Sequence, residues 1–307
     1  MSNTAANKRK ALFFHFSEHL HFLKDNGYIK NTNLKYDNTF ICPICLQQFS
    51  LPDLESNSPN MLTLEHAPPE AVGGDGIVLT CKDCNSSAGH EIDFHLTERL
   101  LEADRRGFLP KSSARIKVTN GTITVQANIH VEDDGVMKMT HSEKNNHTVR
   151  LINFIDSIDP IDNPLVNIDF GNSRTEYSRF EIALLKTAYL LAFAKYGYSF
   201  ILSSEYDIVR QQILSPDKNI YPSGFYTSKS FLKKEHEGVN ICTTPTAEGI
   251  YCIFPLITSA KTRRYGIHLP IPMLPAEFMI NNLHYLAKRE EELSFEIDNT
   301  HDDFFLM

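Results

Sequence analysis

The fold prediction depends on the stretch LTLEHAPPEAVGGDGIVLTCKDCN, residues 62–85. We predict that it opens with a strand that ends in Glu65-His66. Neighbouring residues on a strand point to opposite faces, so one of these side chains can hold a metal while the other faces a substrate. Gly73-Gly74 permits a tight loop beyond the strand.

Four cysteines form two C-x-x-C pairs. Cys42 and Cys45 precede this stretch, and Cys81 and Cys84 lie at its end. In a reducing compartment such a set indicates a metal site more often than a disulfide framework. Two such knuckles place four soft thiolates around one tetrahedral ion, and zinc fits that geometry. Because a four-cysteine site leaves no open coordination position, we predict a structural zinc. The 35 residues between the knuckles then form an inserted substructure.

Two further polar residues follow the second knuckle. Asn85 comes directly after Cys84, and we predict that it opens the next helix. His90 follows within about one and a half helical turns. Each feature alone is weak, since an Asn after a cysteine usually forms a turn or a helix cap. They become informative in combination, because Glu65-His66 lies between the two knuckles and Asn85 and His90 follow the second one.

Taken together, residues 40–95 resemble the HNH (ββα-metal) endonuclease family. The resemblance implies a β-hairpin and a helix that grip one catalytic metal, with a separate four-cysteine zinc that holds the ends together. The family pattern is an acid followed by His, then a Pro and often Gly-Gly, then C-x-x-C-Asn. In this sequence those positions are Glu65, His66, Pro69, Gly73-Gly74 and Cys81-x-x-Cys84-Asn85.

The resemblance also implies roles for these residues. His66 is the general base that takes a proton from the attacking water, a task that imidazole performs well near neutral pH. Glu65 and Asn85 are oxygen ligands of a hard catalytic cation, Mg²⁺ or Mn²⁺. His90 lies near the third motif position, and three roles stay open for it: metal ligand, phosphate contact or exposed helix residue. Many family members have Asp where this chain has Glu65.

The rest of the chain predicts further regular structure. Residues 114–142 alternate apolar and polar side chains around an Asn-Gly and an Asp-Gly turn signal, which indicates an antiparallel meander. Residues 176–196 are apolar nearly all round, which indicates a buried central helix. Other helices are expected at about 8–24, 205–214 and 275–292, and strands within 238–271.

These elements predict an α+β protein of two domains. Residues 1–110 are expected to form a zinc-bound ββα-metal nuclease domain. Residues 111–307 are expected to form an α+β domain with antiparallel strands around a buried helix, which positions substrate or docks a regulator or a second copy. The two remaining cysteines, Cys242 and Cys252, lie in apolar, strand-like surroundings and are interpreted as core thiols.

The charge balance limits how the chain can hold nucleic acid. The formal net charge is −8, and residues 1–110 carry ten Lys or Arg against fourteen Asp or Glu. Most nonspecific affinity for nucleic acid comes from neutralising phosphates, so capture is expected to be weak or helped by a partner. The sequence contains no apolar run long enough to span a membrane and no secretory cleavage pattern, and we expect a cytoplasmic protein.

Two functional hypotheses follow. The first is a divalent-metal-dependent HNH endonuclease that hydrolyses phosphodiester bonds, with DNA as the expected substrate and His66 as the base. The second is a non-catalytic, zinc-stabilised module that binds nucleic acid or protein, which needs the cysteines but has no need of Glu65, His66 or Asn85. The choice between DNA and RNA stays open, and restriction, homing and phage-defence roles are all compatible with the first hypothesis.

Overall fold

The computed structural model has the mixed helix and strand content of an α+β protein. Among the described residues, no helix combines the length and the apolar composition that crossing a membrane requires. The structure describes residues 3–30, 32–55, 57–141, 143–158, 166–222, 226–227, 232–242, 248–272, 274–287 and 297–298.

The chain divides into two compact units that do not coincide with the predicted division at residue 110. The helix predicted over 176–196 belongs to the same unit as the cysteine knuckles. The sequence pattern shows that this helix is buried, but it does not show which residues bury it. Unit 1 comprises Met1–Thr97, Glu176–Leu256 and Arg263–Met307, and unit 2 comprises Glu98–Thr175 and Ile257–Thr262.

The first part of unit 1 contains a long helix, two short hairpins and a broken helical segment. Helix α1 precedes the antiparallel pair β1–β2, and the hairpin β3–β4 leads directly into helix α2. A π-helical turn, Gly89–Asp93, joins α2 to α3. The bounds are α1 Asn3–Asp25, β1 Phe40–Ile41, β2 Gln48–Phe49, β3 Leu62–Ala67, β4 Asp75–Cys81, α2 Lys82–Ala88 and α3 Phe94–Arg106. The part of α3 from Glu98 onward belongs to unit 2.

The second part of unit 1 adds helices and a five-stranded sheet, whose strand order is β13-β10-β11-β12-β9. The helices and strands predicted after residue 176 are confirmed where the structure describes them; residues 243–247 and 288–292 lie outside that part. The bounds are α5 Tyr177–Tyr196, α6 Tyr198–Ile201, α7 Asp207–Leu214, β9 Tyr226–Thr227, β10 Gly238–Cys242, β11 Gly249–Ile257, β12 Thr262–Leu269, α8 Ala276–Ala287 and β13 Ile297–Asp298.

Helix α5 is the centre of unit 1. Most of its residues are buried on every side, which its apolar composition requires. Phe193 stacks on Phe16 of α1 with ring centroids 4.5 Å apart. The Tyr189 hydroxyl donates to the Pro43 carbonyl oxygen over 2.7 Å, inside the first cysteine knuckle. The knuckle and α5 therefore share one core.

Unit 2 is an antiparallel sheet covered by a helix. The order is β7-β6-β5-β8, and the predicted meander and both of its turns are confirmed. Gly121, in the first turn, has a φ of 55°, a left-handed value that favours glycine. Leu151 and Phe154 of the helix pack on the inward residues of β5 and β6. The bounds are β5 Ser113–Asn120, β6 Ile123–Val131, β7 Met137–His141, α4 Thr148–Asp156 and β8 Asn167–Asp169.

Candidate metal centre and hairpin site

The four cysteines of the two knuckles converge as predicted. One Sγ atom from each of Cys42, Cys45, Cys81 and Cys84 lies within 4.8 Å of the others. The Sγ atoms of Cys45 and Cys81 are 3.7 Å apart. Tetrahedral coordination with Zn–S bonds of about 2.3 Å requires S···S separations of about 3.8 Å. The group can therefore hold a metal such as zinc.

Local backbone structure positions the first knuckle. The chain turns back on itself so that the Leu46 amide donates to the Cys42 carbonyl and the Cys42 amide donates to the Gln47 carbonyl, each over 2.9 Å. Leu46 adopts a φ of 59°, which few residues with a side chain adopt. The Cys81 amide approaches Cys42 Sγ at 3.5 Å. Amide donors of this kind stabilise a thiolate ligand and orient it.

The β3–β4 hairpin connects the cysteine group to Glu65-His66. Its register runs from Leu62 opposite Cys81 at the knuckle end to Ala67 opposite Asp75 at the loop end. The register shifts at this point, because Glu65 lies opposite Val78 and His66 lies opposite Gly76. The residue left without a partner, Ile77, belongs to β4, so the irregularity lies on the strand that faces the two predicted catalytic residues.

The loop that joins β3 to β4 depends on its two glycines. Gly73 has a φ of 88°. A Cβ atom on Gly74 would lie 1.5 Å from the Pro68 carbonyl oxygen, a distance that no side chain can occupy. The tight loop predicted from Gly73-Gly74 is therefore confirmed, and it holds the end of β3 against the start of β4.

Glu65 lies inside the protein, against α5. Only 3% of the Glu65 surface is exposed, and its Oε1 lies 2.5 Å from the Lys186 ammonium nitrogen. The Thr80 hydroxyl donates to Oε2 over 3.2 Å. Burial raises the pKa of the Glu65 carboxyl, and the charge of Lys186 opposes that rise. Both carboxylate oxygens thus have partners within the protein.

Asn85 joins helix α2 to strand β3. Its side-chain amide nitrogen donates to Thr63 Oγ1 over 3.0 Å and to the Leu64 carbonyl oxygen over 3.3 Å. Asn85 lies inside α2, which begins at Lys82, so it does not open the helix as the sequence predicted. In the structure the amide group braces the residue that precedes Glu65.

The two predicted histidines differ in burial. His66 is half-buried at the loop end of β3, whereas His90 is exposed on the π-helical turn. Within the described part of the chain, the four cysteines are the one group of three or more His, Cys, Asp or Glu side chains that can hold a metal. Glu65, His66 and His90 do not belong to such a group.

Two residues of this site were missed at the level of sequence. Lys186 and Asp93 complete the surroundings of Glu65, and the Lys186 ammonium nitrogen lies 2.6 Å from Asp93 Oδ2. The available signal was a single lysine inside the apolar run 183–194. A lysine in the middle of a fully buried helix needs a carboxylate partner, because an unpaired buried ammonium is very costly.

A cavity of about 270 Å³ adjoins the cysteine group and not the hairpin loop. Its lining includes Cys45, Asp83 and Leu214, and it does not include Glu65, His66 or Asn85. The cavity therefore gives no substrate pocket at the predicted catalytic residues.

We expect Asn85→Ala to lower the free energy of unfolding of unit 1 by about 1–3 kcal/mol, because it leaves two acceptors on β3 without their donor. Asn85→Asp removes the same donors at nearly constant shape and is expected to match it. Urea unfolding followed by circular dichroism measures both. Ser86→Ala, an exposed position on the same helix, is the control and is expected to stay within about 0.5 kcal/mol of wild type. Equal stability of Asn85→Ala and Ser86→Ala would contradict the bracing role.

Comparison with known proteins gives no match: no family model, no curated protein and no solved structure is significantly similar to this chain.

Proposed function

We propose that this protein hydrolyses phosphodiester bonds in nucleic acid, with DNA as the expected substrate and His66 as the general base. The observation that carries the proposal is the hairpin that ends in Glu65-His66 and runs through the cysteine group into a helix whose Asn85 bonds back to the first strand. We interpret this order and connectivity as the hairpin and helix that the HNH resemblance implies.

In this reaction His66 acts at the attacking water. The imidazole takes one proton as the water oxygen forms a bond to phosphorus, and the bond from phosphorus to the leaving 3′-oxygen breaks. The leaving oxygen takes a proton from solvent, which balances the step. A half-buried imidazole at the end of a hairpin is accessible to substrate while its backbone stays fixed by the ladder. Glu65 receives no role as a cation ligand, because both of its carboxylate oxygens have partners within the protein. The two hydrogen bonds of Asn85 are made by its amide nitrogen, so its side-chain oxygen would be left to hold Mg²⁺ or Mn²⁺.

A cleavage assay tests the proposal. Full-length zinc-loaded protein is incubated with supercoiled plasmid and with single-stranded RNA, in Mg²⁺, in Mn²⁺ and in EDTA. Nicked or linear plasmid, absent in the His66→Ala variant, is the expected result. Intact plasmid and intact RNA under every condition would overturn it.

The competing function is a zinc-stabilised binding module without catalysis. The ion pair on Glu65 favours it, because a carboxylate held by Lys186 is a structural feature that a binding module also uses. This alternative expects binding to survive His66→Ala and expects no cleavage by the wild type. The same assay therefore separates the two functions.

We expect weak nonspecific DNA binding, with a dissociation constant of about 1 μM or weaker at moderate salt. The net charge is −8, and Arg105 and Arg106 are paired with Glu98 and Glu102 on their own helix. Fluorescence anisotropy with a labelled duplex at two salt concentrations measures the affinity and its salt dependence. Sub-micromolar binding with rapid cleavage by a monomer would contradict this expectation and would show that no partner is needed.

A further inference from the structure

A cluster of three buried charges lies behind the hairpin. Lys186 of α5 is 1% exposed, and its ammonium nitrogen lies 2.5 Å from Glu65 Oε1 and 2.6 Å from Asp93 Oδ2. Glu65 comes from β3 and Asp93 from the π-helical turn, so three separate elements of unit 1 meet at one nitrogen atom.

The arrangement has the form of a cation bridged by two acids. Carboxylate oxygens from two elements converge on one centre, as they do around a divalent ion, but the centre is an ammonium group supplied by the chain. Glu65 Oε2 is already occupied, because it accepts the Thr80 hydroxyl. An added metal ion would have to displace Lys186 into an apolar helix core, where an unpaired charge is very costly.

The charge balance in the cluster is incomplete. One ammonium faces two carboxylates, and Asp93 Oδ1 is buried without a hydrogen-bond partner. Burial raises the pKa of the Asp93 carboxyl, against the effect of Lys186. Burial alone would lower the pKa of Lys186, but Asp93 and Glu65 together raise it above its ordinary value. The ammonium is therefore held in its charged form by the two acids.

We propose that Lys186 is the resident cation of the Glu65–Asp93 pair, so that Glu65 is not available to the divalent metal for which the family resemblance makes it a ligand. Glu65 is then a positioning residue. Its ion pair with Lys186 ties β3, at the position directly before His66, to helix α5. This inference does not rest on the proposed function, because it concerns only what occupies the carboxylate pair.

Manganese binding tests the inference without any cleavage assay. Full-length, zinc-loaded protein is titrated with Mn²⁺, the free ion is followed by electron paramagnetic resonance, and melting is recorded in Mn²⁺ and in EDTA. Wild type and Glu65→Gln are expected to bind the same amount of Mn²⁺. Loss in Glu65→Gln of an ion that the wild type binds would overturn the proposal, since Glu65 would then be a metal ligand.

A second experiment removes the Lys186 ammonium group. Lys186→Met is expected to gain one Mn²⁺ ion and to melt at a higher temperature in Mn²⁺ than in EDTA. The double variant with Glu65→Gln is expected to lose that gain. Lys195→Met, an exposed position on the same helix, is the matched control and is expected to behave as wild type. A folded Lys186→Met protein that Mn²⁺ does not stabilise would overturn the assignment. If Lys186→Met fails to fold, the comparison of Mn²⁺ binding by wild type and by Glu65→Gln still tests whether Glu65 is a metal ligand.

Discussion

Replacing Cys42 or Cys84 with serine is expected to unfold unit 1 and to abolish zinc binding. Structural zinc sites contribute about 10–16 kcal/mol of apparent binding free energy at neutral pH. The net stability of a folded domain is only about 5–15 kcal/mol. Loss of one of the four converging thiolates therefore removes most of what holds the fold. Far-ultraviolet circular dichroism and elemental analysis of metal-purified protein measure the two effects.

A second cysteine provides the control for this experiment. Cys252 is buried in the sheet of unit 1, outside the cysteine group, and its thiol donates to the Ala188 carbonyl oxygen over 3.5 Å. Cys252→Ser keeps a donor at that place and is expected to retain one zinc ion and a cooperative melt. If the Cys42 and Cys84 variants melt like Cys252→Ser, or if the purified wild type holds no zinc, the structural zinc is excluded.

Replacing His66 with alanine is expected to lower the cleavage rate by about 10²-fold or more, the usual effect of removing a general base. Zinc content and melting temperature are expected to stay near wild type, because His66 is half-buried and does not belong to the cysteine group. Plasmid nicking under single-turnover conditions measures the rate.

The control for His66 is another histidine of the same unit. His15 is exposed on α1, and His15→Ala is expected to cleave at the wild-type rate. A His66→Ala protein that cleaves as fast as His15→Ala would refute the role of His66 as the base. A loss of activity accompanied by loss of zinc would point to misfolding, which is why both quantities are measured on the same preparations.

Much of the fold was predictable because it depends on local chemistry. The meander of unit 2 follows from the Asn120-Gly121 turn and from side chains that alternate between its two faces. Helix α5 follows from a long apolar run that ends at Gly197, whose positive φ closes the helix. The cysteine group follows from spacing, since two C-x-x-C pairs are typical of a metal site.

The surroundings of the predicted catalytic residues were less predictable, because they depend on contacts between distant segments. The sequence places Glu65 beside His66, and it interprets the carboxylate as a metal ligand. The structure turns that carboxylate toward Lys186. Asp93 meets the same lysine across 93 positions of sequence. Without the partner helix, a lone acid on a strand is equally consistent with a metal ligand and with an internal ion pair.

Unit 1 is interrupted in sequence by unit 2, so the ribosome completes its first segment well before its second. At synthesis rates of roughly 5–20 residues per second, the interval between Thr97 and Glu176 lasts on the order of 4–16 seconds. Throughout it the nascent knuckles and the hairpin lack the helix that covers Phe16 and neutralises Glu65. Capture of a metal such as zinc by the cysteine group is one stabilising event open to the emerging segment. The apolar residues that α5 covers in the folded protein stay uncovered until the ribosome delivers that helix.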